Sequence, residues 1–155
     1  MTALAPEHVV AFLQNPWFKP ETDEDTIKKY REDAKFRRRL LSMSPTGERL
    51  FLSFGEEWFN KIWWDNANPK HGGCWSAKYA ADIEHMAGVI ALRSPILVIT
   101  FGVISTRGWL RMLTVPGAGN YYKSITHMRF SHPMAYGVSI KQLEEFALRI
   151  KMATT

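Results

Sequence analysis

The chain has 155 residues, which is enough for one domain with a sizeable core. A hydrophobic fraction of 46% and an aromatic fraction of 13% exclude a disordered chain. The formal net charge of +5 permits nucleic acid as a partner without establishing it, because an ordinary basic surface has the same balance.

Cys74 is the only cysteine, so the chain forms no internal disulfide and we expect a reducing, cytoplasmic environment. A four-cysteine zinc site and a cysteine-ligated iron–sulfur cluster are excluded on the same ground. His71, Cys74 and His85 match no standard spacing of metal ligands, so we expect neither metal nor cofactor. The first residues lack a signal-peptide pattern, and apolar runs such as Ile96–Ile99 are too short to span a membrane.

The sequence of the first third of the chain predicts helices. Residues 6–14 predict a short helix that begins near Pro6 and is broken at Asn15-Pro16. Residues 22–42 predict a second helix with acidic residues in its first turn and basic residues near its end. We therefore expect a single domain over residues 1–155, with residues 1–45 as a helical N-terminal extension packed on it.

The middle of the chain alternates short apolar runs with turn signals. Residues 44–47 predict a turn, Leu50–Phe54 a strand that ends at Gly55, residues 58–64 an extended segment, and residues 66–73 a loop.

The second half predicts regularly alternating elements. Four consecutive aliphatic residues in the strand 95–102 indicate burial on both faces, as in a parallel sheet. The remaining elements are a helix over 76–92, a helix over 105–113, a glycine-rich loop over 116–120, a strand over 123–130 and a closing helix over 139–152. This order predicts an α/β fold, a three-layer sandwich with a mostly parallel central sheet and added N-terminal helices.

Polar or glycine-containing motifs follow three of the apolar segments. They are Asn66-Ala67-Asn68-Pro69-Lys70-His71-Gly72-Gly73, the glycine that ends Ile96–Gly102, and Ser131-His132-Pro133. Because the carboxyl ends of parallel strands meet at one edge of a sheet, we expect Asn68, Gly102 and His132 around one cleft.

These three motifs resemble those of the uracil-DNA glycosylase superfamily over roughly residues 60–152. The 66–73 loop resembles the first catalytic loop of that superfamily, 96–102 its central strand, and 131–133 its late His-Pro-Ser motif. Asn66 and Lys70 stand where the family loop has glycine, and Met134 replaces the serine of the late motif. The branches that contain an iron–sulfur cluster are excluded by the single cysteine.

The resemblance implies a DNA glycosylase that flips a damaged or modified base out of DNA and excises it. Asn68 would orient the attacking water with Asp65 as the stronger base nearby, and His132 would donate a hydrogen bond to the leaving base. Trp75, Phe54 and Trp64 are candidates to stack on the base. The implied substrate-binding residues are Trp75, Phe54, Gly102, Ser131 and Pro133, and the implied phosphate contacts are Lys70, Arg107, Lys123 and Arg129.

Each motif also has a structural interpretation. His132 before a proline can simply end a strand, and Asn68-Pro69 is a common turn pair. The aromatic run Trp58, Phe59, Trp63 and Trp64 is more typical of a core, and the run 35–39 of a solvated helix end. Gly55-Glu56-Glu57 is a rival first motif, since it also follows an apolar run.

Three functions stay open from the sequence. The first is a DNA glycosylase-like hydrolase, monomeric, with DNA as its partner. The second is a non-catalytic nucleic-acid-binding protein of the same fold. The third is an enzyme that acts on free nucleosides or nucleotides, which the absence of a phosphate-binding loop motif disfavours.

Overall fold

The computed structural model describes residues 4–16, 21–70 and 80–153. These residues form a four-stranded sheet in the order β2-β1-β3-β4. All three neighbouring pairs are parallel. The strands are β1 Val9–Leu13, β2 Trp63–Asn66, β3 Leu97–Phe101 and β4 Thr126–Phe130.

Helices cover both faces of the sheet. They are α1 Glu24–Glu32, α2 Ala34–Ser42, α3 Pro45–Phe54, α4 Glu56–Lys61, α5 Ile83–Arg93, α6 Val103–Met112, α7 Gly119–Lys123 and α8 Ile140–Lys151, and a 3-10 turn spans Pro6–His8. Within the described ranges, no helix has the length and apolar character needed to cross a membrane.

Two apolar clusters, one on each face of the sheet, hold the layers together. Alternate side chains of one strand point to opposite faces, so Val9 and Ala11 join one cluster while Val10 and Phe12 join the other. The first cluster receives α3, α4 and α8, and the second receives α5, α6 and α7. The predicted three-layer α/β sandwich with a parallel central sheet is confirmed.

The prediction of an inner parallel strand at β3 is also confirmed. β3 pairs with β1 on one side and with β4 on the other, and all five of its residues are buried. Burial on both faces is the reason that its sequence carries aliphatic residues without a break.

The prediction of a helix over 6–14 is wrong. Val9–Leu13 is strand β1, an inner strand that lies between β2 and β3 and is buried throughout. The described residues between 4 and 45 therefore do not form a purely helical extension, because Val9–Leu13 supplies a strand of the central sheet. A run of five apolar residues is compatible both with an inner strand of a parallel sheet and with a buried helix. In this protein the run pairs with β2 and β3 and is therefore a strand.

The predicted strand at Leu50–Phe54 is wrong for the opposite reason. These residues end α3, which begins at Pro45. Ser44 caps this helix, because its side-chain oxygen accepts the Gly47 N–H at 3.0 Å. The helix predicted over 22–42 is two helices, since Asp33 interrupts it and caps α2 by accepting the Lys35 and Phe36 N–H groups.

Smaller differences concern boundaries. The extended segment predicted over 58–64 is mostly α4, with only its end in β2, and part of the glycine-rich loop 116–120 belongs to α7. The strand predicted over 123–130 begins later, at Thr126. In the helix predicted over 76–92, residues 76–79 lie outside the described part of the chain, and the described helix begins at Ile83.

Candidate functional site

A cleft of about 1030 Å³ opens at the carboxyl ends of β1, β3 and β4. It lies between the start of α6 and the segment that follows β4. Its described lining residues are Gln14, Phe101, Gly102, Val103, Ile104, Thr106, Arg107, Leu110, Arg129, Phe130, Ser131, His132, Met134 and Ala135. Seven of these fourteen residues have apolar side chains, which suits an organic group more than a hydrated ion.

The strand order explains why a cleft forms there. From β1 the chain moves to β2 on one side of the sheet, and from β3 it moves to β4 on the other. The loops after β1 and β3 therefore diverge and leave a crevice between them, which is where open parallel sheets bind ligands. Gln14 after β1 and Gly102 after β3 both line the cleft.

Gly102 connects β3 to α6 and approaches His132 closely. Its φ of +91° lies in a region that side-chain-bearing residues rarely adopt, and a Cβ at this position would lie 3.5 Å from the His132 Cβ. The Gly102 N–H donates to the Phe130 carbonyl at 2.8 Å, which holds the ends of β3 and β4 together. No side chain caps α6, so the first amides of this helix stay available at the wall of the cleft.

His132 is a neutral hydrogen-bond donor in this arrangement. The Met134 N–H donates to His132 Nδ1 at 3.1 Å, so Nδ1 carries no proton and the ring proton resides on Nε2. Burial lowers the pKa of the His132 imidazole, because it disfavours the charged form. A neutral ring with Nε2–H can donate to an oxygen that gains negative charge and does not need to release a proton.

A chain of hydroxyl groups supports the floor of the cleft. Thr106 Oγ1 donates to the Gly102 carbonyl at 2.7 Å and therefore accepts from Thr100 Oγ1 at 2.9 Å. Thr100 in turn accepts from His127 Nε2 at 2.8 Å. Burial, with a smaller contribution from the charge of Arg129, lowers the pKa of His127 to about 4, so this ring stays neutral near pH 7.

The cleft carries positive charge. Arg107 and Arg129 line it, and none of its described lining residues is an aspartate or a glutamate. An electropositive cleft attracts anionic ligands such as phosphate groups. Among the described residues, no cluster of three or more His, Cys, Asp or Glu side chains is placed to hold a metal ion.

The structure brings several predicted residues together and separates others. Gly102, Ser131, His132, Arg107 and Arg129 all line the cleft. Pro133 lies next to it with a buried ring, and its carbonyl accepts from Arg49.

Asn68 does not line the cleft, contrary to the prediction. It follows β2, which is separated from β4 by two strands, and the carboxyl ends of β2 and β4 are roughly 14 Å apart at the usual strand spacing. Both polar atoms of the Asn68 amide make hydrogen bonds near β2: Nδ2 donates to the Ala80 carbonyl at 2.7 Å, and Oδ1 accepts the Lys70 N–H at 2.8 Å. These contacts favour the interpretation of Asn68-Pro69 as a turn.

Asp65 is likewise not a general base in the cleft. It is a buried acceptor for Trp63 Nε1, the Asn66 N–H and His85 Nε2, and Arg37 Nη2 lies 3.7 Å from its Oδ2. Burial alone would raise the pKa of this carboxyl, but the bond from His85 and the charge of Arg37 outweigh it and lower the pKa. The carboxylate therefore stabilises the β2 side of the fold.

The remaining predicted residues lie elsewhere. Phe54 and Trp64 are core residues whose rings pack edge to face at 5.7 Å, so neither can stack on a ligand. Lys70 is exposed in the loop after β2, and Lys123 ends α7 before β4 begins, at the opposite edge of the sheet from the cleft. Trp75 lies outside the described residues.

The segment after β1 is the part of the site that the sequence prediction missed. Gln14 lines the cleft, and Asn15 and Pro16 follow it directly, so an Asn-Pro pair does occur at the topological switch point. Asn15 is half-buried and its Nδ2 donates to the Pro16 carbonyl at 3.2 Å. The signal was available, because Asn15-Pro16 follows an apolar run just as Asn68-Pro69 does, but the helix predicted over 6–14 concealed it.

Comparisons of this chain with protein-family models, curated proteins and solved structures found no match.

Proposed function

We propose that this chain is a DNA glycosylase-like hydrolase that accepts a flipped base in the cleft and cleaves the bond between base and sugar. The observation that carries the proposal is the neutral His132 donor, which lies beside the uncapped start of α6 in a cleft with two arginines and no described acid. Such a site suits a ligand with an uncharged flat ring and anionic phosphates.

Base recognition would use the apolar part of the cleft. The half-buried Phe130 offers aromatic surface at its floor, and Val103, Leu110 and Met134 are exposed at its rim. A base must leave the duplex to reach such a site, and apolar walls offset part of the stacking that it loses. Arg107 and Arg129 would hold the flanking phosphates.

Cleavage would proceed by departure of the base. As the C1′–N bond breaks, the electron pair moves onto the base and an oxygen of the base gains negative charge. Nε2–H of His132 stabilises that charge, and the sugar gains positive charge that a water molecule quenches at C1′, its proton passing to solvent. The Gln14 amide, which lines the cleft just after β1, would take the water-orienting role first expected of Asn68.

One observation favours the second function, a nucleic-acid-binding protein without catalysis. Asp65 and Asn68 lie away from the cleft, and no carboxylate is among the described residues that line it. Water activation by an amide alone is weak, because an amide orients water without accepting its proton. A binder would keep Arg107, Arg129 and the apolar cleft and need nothing more.

Strand nicking after alkali, with oligonucleotides that carry uracil, hypoxanthine or modified cytosine, separates the two functions. Base release by the wild-type chain that is lost in His132→Ala, with DNA binding retained, supports the hydrolase. Binding to the same oligonucleotides with no base release from any of them supports the binder. If neither base release nor binding at low salt is observed, the cleft serves a ligand other than DNA.

A further inference from the structure

The segment between β4 and α8, which carries His132, is hydrogen-bonded to an arginine of α3. Arg49 lies on α3, and its Nε donates to the Pro133 carbonyl at 2.8 Å while its Nη2 donates to the Val138 carbonyl at 2.6 Å. The two acceptors are five residues apart, near the start and the end of the connection between β4 and α8. One guanidinium therefore joins both ends of the segment to the body of the domain.

The internal hydrogen bonds of this segment are short-range. The Ala135 N–H donates to the His132 carbonyl at 2.8 Å, and the Val138 N–H donates to the Ala135 carbonyl at 3.2 Å. These bonds make two successive turns, and residues 134–137 at the tip are exposed. Turns of this kind fix the local path of the chain but leave its orientation against the sheet to contacts with other elements.

We propose that Arg49 is a positioning residue that holds His132 in place for the reaction, an inference that rests on the proposed hydrolase function. The Nε–H and Nη2–H groups of a guanidinium are parallel and rigidly spaced, so they fix the two carbonyls relative to each other as well as to α3. Arg49 itself is not among the described residues that line the cleft, so it acts through His132 without touching the substrate.

The reaction depends on this placement because the His132 donor must meet an oxygen that becomes charged only as the base departs. A misplacement of about 1 Å can cost about 10²-fold in rate. Loss of the Arg49 bonds should therefore lower kcat by about 10²-fold. KM should change much less, since Arg107, Arg129 and the apolar walls that bind the substrate stay in place.

Two variants and one control test the proposal in the full-length chain. Arg49→Met keeps most of the aliphatic stem and removes both bonds, whereas Arg49→Lys keeps the charge but loses the paired donors. Arg39→Met removes the same charge from an exposed position on α2. The measurements are kcat and KM for base release, the NMR titration of the His132 ring, and amide exchange at Ala135 and Val138.

The proposal expects both Arg49 variants to lower kcat at nearly constant KM, with faster amide exchange at both positions. In Arg49→Met the pKa of His132 should rise toward its ordinary value as water reaches the ring, while Arg39→Met matches the wild type. Unchanged exchange and an unchanged His132 titration in Arg49→Met would overturn the proposal, and so would a KM effect without a kcat effect. A wild-type chain without base release would overturn the hydrolase function, while amide exchange and the His132 titration would still show whether Arg49 positions the segment.

Discussion

The placement of Asp65 predicts that its charge is needed for stability. Asp65→Asn keeps the shape of the side chain, removes the charge and replaces one of its two acceptor oxygens by an NH2 group. Arg37 would then keep its own charge with a side chain that is 6% exposed. Breaking a buried ion pair in this way costs about 3–5 kcal/mol. Arg37 still donates to the Trp64, Tyr30 and Arg31 carbonyls, and these bonds offset part of the loss. We therefore expect the lower end, about 3 kcal/mol.

Urea denaturation followed by circular dichroism measures this cost. The matched control is Glu57→Gln, which breaks the exposed pair with Lys61 at 3.4 Å and should cost no more than about 1 kcal/mol. The double variant Arg37→Met with Asp65→Asn removes both charges, so its cost should be less than the sum of the two single costs. An Asp65→Asn variant that is as stable as Glu57→Gln, or a double variant whose cost is simply additive, would refute the assignment of Asp65 to a buried ion pair.

The same pair has a pH signature. The folded-state pKa of Asp65 lies below its usual value of 3.8, so its contribution to stability is fully present above that value and is lost as pH falls through the folded-state pKa. The difference in unfolding free energy between wild type and Asp65→Asn should therefore be constant at neutral pH and shrink below about pH 4. A difference that grows on acidification would contradict the sign of this linkage.

The other predictions concern the cleft. His132→Ala should remain folded, bind DNA and lose about 10²–10³-fold in the rate of base release, the usual cost of one oxyanion donor; unfolding of this variant would show that the histidine is structural. Gln14→Ala should lose activity, whereas Asn68→Ala should keep it and lose about 1 kcal/mol of stability through its two loop bonds, as measured by urea denaturation. The reverse pattern would restore the loop after β2 as the catalytic loop. DNA affinity should fall steeply with salt, and the joint change of Arg107 and Arg129 to Ala should reduce the slope of log K against log salt by about 2. An unchanged slope would exclude these two arginines as phosphate contacts.

Much of the fold could be predicted from local sequence patterns. The unbroken aliphatic run of β3 indicated an inner strand, and the helical pattern over 139–152 indicated α8, which the structure starts with a complete capping box of Ser139 and Gln142. The glycine after β3 and the histidine after β4 indicated two of the positions around the cleft. In each case the residue itself carries the structural preference, so no distant partner is needed to recognise it.

Short apolar runs are where the prediction failed. Val9–Leu13 has five apolar residues and Leu50–Phe54 has four, interrupted by Ser53, yet the first is an inner strand and the second ends a helix. Periodicity cannot separate the two over such a length, and the decision comes from the partners available to each backbone. A helix over 6–14 places Asn15-Pro16 away from the sheet edge and leaves Asn68-Pro69 as the Asn-Pro pair that follows a predicted strand, whereas β1 puts Asn15-Pro16 at that edge.

The sequence alone determined the class of the fold, the inner position of β3, and the glycine and histidine that meet at the carboxyl edge. These features could be predicted because the burial of a strand and the point where it ends depend on residues that are neighbours in the sequence. Only the tertiary structure decided which strands are adjacent, and adjacency selects the loops that share a cleft. It placed β1 between β2 and β3, which brings Gln14 to Gly102 and His132 and leaves Asn68 on the far side. The tertiary structure also pairs Asp65 with Arg37 and His85, and it joins Arg49 to the segment after His132. These contacts cannot be predicted from local sequence, because they join residues that are distant along the chain and are brought together by the packing of whole elements.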